Sequence, residues 1–374
     1  MKILHLFSDW KWTGPAEPAL EMVKGLRQQG VDAHFAVSPL PFEAEDTVRK
    51  KALAAGVPLT EDFALRKHFH LWHNFSDIRK LMVYVKEHNF DLIHCHRQQD
   101  HLIGAKVAEK CGVPLVRSSH DGRGLKNDWR NRYLMKKATT LYLPVSEMAA
   151  NEDQQTFSMD PTKIQVLPPA IDTEHFDPST NFKDMRSEKN IPQDKIVIGI
   201  VARMQRHRHF EDLLDSWVRV KEARDDVHFV IVGRGTNMDE VAVQPAKDRG
   251  LNDVLTFAGY HRETYTDMLN AFDIKMFLVP GSDGSCRALR QALSLGIPAI
   301  SSSRGMLAEI VLEGENGFVT DGSPETLAAA QIKLCESVSL RKQMSATARR
   351  LSVEKYSLIA QSKKLIMCYE KLIK

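Results

Sequence analysis

The chain has 374 residues, 43% of them hydrophobic and 26% charged, which excludes a disordered or fibrous protein. At roughly 100–200 residues per domain, the length suggests two domains. Fifty-one Lys and Arg against 48 Asp and Glu leave a net charge of +3, too balanced for a general nucleic-acid binder. The five cysteines (Cys95, Cys111, Cys286, Cys335, Cys368) form no Cys-x-x-Cys pair. That argues against a disulfide framework or a Cys-rich zinc site and points to a reducing cytoplasm. The opening run Met1–Asp9 is too short for a secretion signal. No stretch approaches the ~18–20 apolar residues that cross a bilayer, so membrane contact would be peripheral.

The first half alternates short apolar runs with amphipathic segments. Lys2–Phe7 reads as a buried strand and Glu17–Gln29 as a helix with an apolar stripe of Leu20, Met22, Val23 and Leu26. Val31–Val37 is the next strand and Asp77–Glu87 the next helix, followed by the strand Asp91–His94. Leu102–Lys110 is helical, Val113–Val116 extended, and Thr140–Pro144 and Ile164–Leu167 close the series. Such alternation means βαβ units and a parallel sheet.

From Leu167-Pro168-Pro169 to Gln193 the chain is mostly polar, which suits a linker. The pattern then restarts. Lys195–Ala202 is continuously apolar, as in a strand buried on both faces. A helix over Asp212–Glu222 follows, then strands over Val227–Val232, Val254–Phe257, Ile274–Leu278 and Ala299–Ser301. Val353–Lys374 is basic with helical spacing. The expected architecture is α/β: two Rossmann-like, doubly wound domains facing a central cleft. The boundaries are 1–170, 171–352, and a terminal helix over 353–374.

Ligands of such folds bind where strands end and turns lead into helices. Three second-half loops meet that description. Arg203, Arg206 and Arg208 follow the Lys195–Ala202 strand, and arginine forks match phosphate oxygens; the alternative is a solvated basic turn. Gly233-Arg234-Gly235 follows Val227–Val232 and suits either close ligand approach or an ordinary tight turn. Gly281–Arg287 feeds a helix over Ala288–Leu295, whose free N–H groups favour an anion. Asp283 there is a cleft carboxylate or an N-cap, and Gln291 lies about two turns on.

In the first half, Gly14, between the first strand and the first helix, either admits a phosphate or makes a simple turn, and His120, following the strand Val113–Val116 at a carboxyl edge, is either a site residue or a structural histidine. His94 and His96 fall on one face of their strand, where core packing is expected rather than a metal site. His68, His70 and His73 belong to a surface helix or loop. Residues 117–137 hold Arg117, Arg123, Lys126, Arg130, Arg132, Lys136 and Lys137, interleaved with Trp129, Tyr133 and Leu134. That is either a solvated helix with its aromatics in the core or a surface for an anionic headgroup or phosphorylated glycan.

In this order the segments resemble the retaining glycosyltransferases of family 4, group 1, which have the GT-B fold. VLPPAIDTEHF (166–176), VARMQRHR (201–208), VIVGRG (230–235), FAGY (257–260), QALSLGIPAISS (291–302) and EIVLEGENGFV (309–319) are similar to that family's motifs. The resemblance implies that Arg203 and Arg208 contact the donor pyrophosphate. Tyr260 and His261 would read the base through their backbone. Gly284, Ser285, Cys286 and Arg287 would hold phosphate and sugar, with Gly14 near the phosphates, Gly233 in the donor site and His120 beside the transferring sugar. It also implies that the last helix returns to the first domain.

The family's Glu-x7-Glu pair is Asp283 and Gln291 here. Asp283 keeps the charge on a shorter arm. Gln291 accepts a hydrogen bond without the charge. The implied activity is metal-independent, retaining sugar transfer from a nucleotide-diphosphate sugar, with a UDP-sugar the expected donor and no separate cofactor. The implied acceptor is a glycan or lipid-linked sugar of cell-surface polysaccharide or lipopolysaccharide synthesis. The expected location is the cytoplasm, at the inner membrane face if peripheral. The alternative is a noncatalytic sugar-nucleotide-binding protein of the same fold.

Overall fold

The computed structural model describes residues 1–40, 44–280 and 286–373. They divide into two compact units: 1–170 with 356–373, and 171–280 with 286–355.

The first unit holds β1 (Lys2–Phe7), β2 (Asp32–Val37), β3 (Leu59–Thr60), β4 (Leu92–Cys95), β5 (Leu115–Ser118) and β6 (Leu141–Leu143). All pairs are parallel, in the order β3-β2-β1-β4-β5-β6. The second holds β7 (Ile196–Val201), β8 (Val227–Val232), β9 (Leu255–Gly259), β10 (Ile274–Phe277), β11 (Ala299–Ser302) and β12 (Gly317–Thr320). Its order, β12-β11-β10-β7-β8-β9, is the same topology again. In both sheets the order reverses beside the first strand. A crevice therefore opens at the carboxyl ends of β1 and β4, and of β7 and β10.

Helix stripes supply the cores. The helix Ala16–Gln28 buries Ala16, Ala19, Leu20, Val23 and Leu26, a spacing that keeps one face on the sheet. In the second unit the helix Phe210–Ala223 buries Phe210, Leu213, Leu214, Trp217 and Val220. There Trp217 stacks on Phe229 of β8 with ring centroids 4.6 Å apart. Serine hydroxyls accept backbone N–H groups at the starts of the helices Glu147–Phe157, Pro324–Glu336 and Leu358–Glu370. The last of these lies in the first unit, against Ala16–Gln28. The approach depends on Gly25, where a Cβ would stand 2.0 Å from Ser362 Oγ.

Several boundaries differ from the sequence reading. Val113 is not in β5: Gly112 (φ +73°) ends the helix Gln98–Cys111, and Val113 N–H bonds back to the Ala108 carbonyl. The strand therefore begins after Pro114. Ile164–Leu167 is not a strand; it makes one bridge to Tyr142, and Gln165 and Leu167 donate to the carbonyls of Tyr142 and Pro144. The helix expected at Asp77 starts at Leu71, capped by His70. The short β3 and edge strand β12 carry too little periodicity to read from sequence.

Candidate active site

The carboxyl edge of the first sheet is organised by a carboxylate that the sequence reading passed over. Asp100, fully buried in the first turn of the helix Gln98–Cys111, accepts N–H bonds from Ser8 (2.9 Å), His96 (3.1 Å) and Arg97 (2.8 Å). It thereby ties the end of β1 to the end of β4. Burial raises its pKa to about 6, opposed by Arg117 and these donors. The signal in the sequence was Arg97-x-x-Asp100, the spacing of a capping box. Arg97 Nη1 then reaches Asp9, itself buried just past β1, at 3.0 Å.

His120 closes a stack of imidazoles. His120 Nε2 lies 3.0 Å from His96 Nδ1, and His96 Nε2 lies 3.0 Å from His5 Nδ1. Beside them His94 bonds Ser118 Oγ (2.7 Å) and the Tyr369 hydroxyl (2.5 Å) of the terminal helix. Burial lowers all four pKa values, those of His5 and His120 to about 3; Arg117 and Arg97 add to the effect at His120. Nitrogens of His5, His94 and His96 lie within 4.8 Å of one another. The His94 and His96 rings are stacked, however, and both nitrogens of each are engaged in the bonds above. The arrangement is a hydrogen-bonded column rather than a convergent metal cage. Gly14 sits in the turn after β1, where an added Cβ would meet nothing within 4 Å, so this turn leaves open space.

In the second unit the arginine loop leaves β7 as expected. Arg206 is held outward by Glu240, with Nε 2.8 Å from the carboxylate. Arg203 is exposed and makes no hydrogen bond or ion pair among the described residues. Arg208 Nε is buried without a hydrogen-bond partner among them. Burial lowers the Arg208 pKa and the Arg203 guanidinium lowers it further, so two cations act on each other with no carboxylate paired to either among the described residues. Uncompensated like charges at a strand's carboxyl end favour an anion.

Gly233 and Gly235 explain why this loop is fixed. A Cβ on Gly233 (φ +141°) would stand 2.1 Å from the Ala202 carbonyl oxygen, and one on Gly235 would stand 2.1 Å from that of Met204. Both glycines thus face the arginine loop's backbone. Arg234 lies over the exposed Tyr260 ring at 4.3 Å. His261 turns its ring inward, with Nε2 2.9 Å from the Ala258 carbonyl and Nδ1 2.7 Å from Thr264 Oγ1.

Cys286 is buried at φ +50°, the left-handed region, and begins the helix Arg287–Ser294. Burial also lowers the pKa of Arg287 in its first turn. Gln291 is partly buried, and its side-chain amide has no hydrogen-bond partner among the described residues. Asp283, Gly284 and Ser285 lie outside the described residues.

Elsewhere in the first unit, Asp128 caps the helix Trp129–Tyr133, with Trp129 73% and Tyr133 50% exposed. Leu134 is buried. Arg117 is buried as well, at 4%, which removes it from the basic surface expected over 117–137.

Comparison with known proteins assigns the class. Residues 14–175 match the family model "Glycosyltransferase Family 4", and residues 181–351 match "Glycosyl transferases group 1". A curated relative, an uncharacterized glycosyltransferase of Methanocaldococcus jannaschii, is 24% identical over 320 residues, covering 81% of each chain. The UDP-Gal:alpha-D-GlcNAc-diphosphoundecaprenol alpha-1,3-galactosyltransferase of Escherichia coli is 25% identical over 283 residues, 71% of this chain and 69% of that one. Anabaena HepE, solved in complex with UDP, superposes over 100% of both chains with a TM-score of 0.80 at 18% identity. The chain belongs to glycosyltransferase family 4, group 1, and has the GT-B fold.

Proposed function

We propose that this glycosyltransferase moves a sugar from a nucleotide-diphosphate sugar, a UDP-sugar in the first instance, to a glycan or lipid-linked acceptor, with retention of configuration. The observation that carries the reading is the pair Arg203 and Arg208 at the end of β7, without a carboxylate partner among the described residues. The departing diphosphate develops negative charge, and preorganised guanidiniums stabilise it with no metal required. The leaving phosphate takes the acceptor proton, and Asp283, as the resemblance implies, faces the cationic sugar. The resemblance assigns Gly14, Gly233, Tyr260, His261, Gly284, Ser285, Cys286, Arg287 and Gln291 to donor binding and His120 to the transferring sugar. The names of the Escherichia coli relative and of the HepE complex support a UDP-linked donor, and the former a lipid-linked acceptor.

We also propose peripheral contact with an anionic membrane at the cytoplasmic face. The exposed Trp129 and Tyr133 beside Arg130, Arg132, Lys136 and Lys137 support it. No described helix is long and apolar enough to cross a bilayer.

A donor panel tests the reading. UDP-, GDP- and ADP-sugars are assayed for binding and for nucleotide diphosphate release in acceptor mixtures, and the product's anomeric configuration is read by NMR. UDP-sugar turnover with retention is expected. Binding without turnover in any mixture would favour a noncatalytic sugar-nucleotide binder, and an inverted product would remove the retaining mechanism.

A further inference from the structure

The first unit contains a cavity of about 730 Å³ that no role described so far uses. Its floor is Asp9 at the end of β1 and Ser38-Pro39-Leu40 at the end of β2; its wall is the segment from Ala64 to His73. Lys11, Arg66 and Lys67 bring three cations to it, against one carboxylate, Asp9, among the described lining residues. That carboxylate is already engaged by Arg97 at 3.0 Å and Lys67 at 3.6 Å. Arg66 and Lys11 have no hydrogen-bond or ion-pair partner for their charged groups among the described residues. The described lining therefore carries surplus positive charge.

The wall is built to hold those cations in place. Leu65 is buried with φ +34°, a conformation costly for a leucine and stable only where its surroundings impose it. Here Asp77, 2% exposed, accepts the N–H groups of Ala64 (2.8 Å) and Leu65 (2.9 Å), while Ser38 Oγ donates to the Ala64 carbonyl (3.0 Å). The turn so pinned presents Arg66 and Lys67 next in the chain.

The histidines add a donor. His70 Nδ1 accepts the His73 backbone N–H and lies 2.7 Å from His73 Nδ1. With His70 Nδ1 bare, neutral His70 carries its proton on Nε2 and offers that N–H as a donor. Trp10, Leu40 and Phe69 supply apolar walls beside these groups.

We propose that this cavity is the acceptor's anion subsite and takes a phosphate group, held by Lys11, Arg66, Lys67 and His70 while Trp10 and Phe69 flank the adjoining sugar or chain. The assignment rests on the reading of the chain as a sugar transferase, and it narrows the acceptor to a phosphorylated one. Phosphate is preferred over carboxylate because three cations and an N–H match a dianion with three terminal oxygens better than a planar monoanion.

The test uses the full chain with histidine labelled for NMR, UDP being present so that the arginine pair of the second unit is filled. Glucose 6-phosphate, geranyl diphosphate, glucuronate and glucose are titrated, and the His70 and His73 ring signals are followed. Saturable shifts with either phosphate probe, absent with glucose, are expected; the tighter probe tells whether the phosphate arrives on a soluble sugar or on a lipid carrier. The exposed pair Arg66→Ser/Lys67→Ser should weaken that binding by about tenfold or more, the effect of losing charged hydrogen bonds. Unchanged thermal unfolding of this variant shows that it is folded.

No shift at low salt, an equal shift with glucose, or undiminished binding by the double variant would overturn the subsite. Glucuronate binding as tightly as the phosphates would overturn the choice of phosphate. UDP affinity is measured by calorimetry on the same samples. Its failure would count against the donor reading and leave the histidine result standing.

Discussion

Gly233 lies so close to Ala202 that a β-carbon on the glycine would stand 2.1 Å from the alanine's carbonyl oxygen. The contact makes the Gly-x-Gly turn after β8 the support on which the arginine loop after β7 rests. Gly233→Ala should therefore destabilise the protein by about 1–3 kcal/mol or more and weaken UDP binding, because the backbone is forced from a region closed to alanine. Gly250 is the control: it has φ +67°, but nothing lies within 4 Å of its added Cβ. Gly250→Ala should cost stability while leaving UDP affinity unchanged, as calorimetry and thermal unfolding would read. Equal losses of UDP affinity in both variants would count against the support role.

The histidine column makes the first unit sensitive to acid. Burial holds His5 and His120 near a pKa of about 3 and His94, His96 and His101 well below the ordinary value. Below about pH 6.5 the unfolded chain binds protons that the folded chain excludes, so stability falls as pH falls, by up to about 1.4 kcal/mol per pH unit for each group. Four of the five tryptophans (Trp10, Trp12, Trp72, Trp129) lie in this unit, so fluorescence reports its unfolding. Urea midpoints should drop clearly between pH 7.5 and pH 5.5. Identical midpoints would mean that the column accepts protons while folded.

Lys275 on β10 is fully buried, its Nζ without a hydrogen-bond partner among the described residues and 5.5 Å from the Phe272 ring centroid. Burial drives its pKa well below the usual lysine value. From that lowered pKa up to about 10.4 the unfolded state holds a proton that the folded state lacks, so stability rises with pH across this window. Lys275→Met should leave stability at pH 7 unchanged or higher, and should flatten the rise between pH 7 and pH 9. Marked destabilisation at pH 7 would show that the amine is bonded in solution.

Gln291→Glu restores the family residue. If the side chain faces ribose, UDP affinity should hold or rise, because a charged acceptor replaces a neutral one. Calorimetry showing a drop of about tenfold with the fold intact would mean that the site is shaped around the amide.

Much of the fold was legible in the sequence because its strands are short apolar runs at regular pitch: Lys2–Phe7 and Val227–Val232 have the bounds expected. What periodicity could not show was local chemistry. Val113 looks like strand but caps a helix through Gly112, and Arg117 looks like surface but is buried. Arg203 and Arg208 stood out as charges at a strand's end, whereas Arg206 differs from them only through Glu240, 34 positions away. His5 and Asp77 were invisible as site residues because their roles consist of bonds to distant backbone and to other rings, and the capping-box spacing of Asp100 signals its local bonds but not the one to Ser8. The cavity beside Asp9 was hidden for the same reason: Lys11 and Arg66 meet only once β2 and the Asp77-pinned turn are in place.

The central claim is that Arg203 and Arg208 bind the donor's diphosphate, and calorimetry of UDP against uridine on the native chain and on Arg203→Ala tests it most directly. The account predicts that UDP binding weakens by roughly 1.5–3 kcal/mol, the value of hydrogen bonds to a charged group, while uridine binding is nearly unchanged. Equal weakening of both ligands, or no weakening of either, would contradict it.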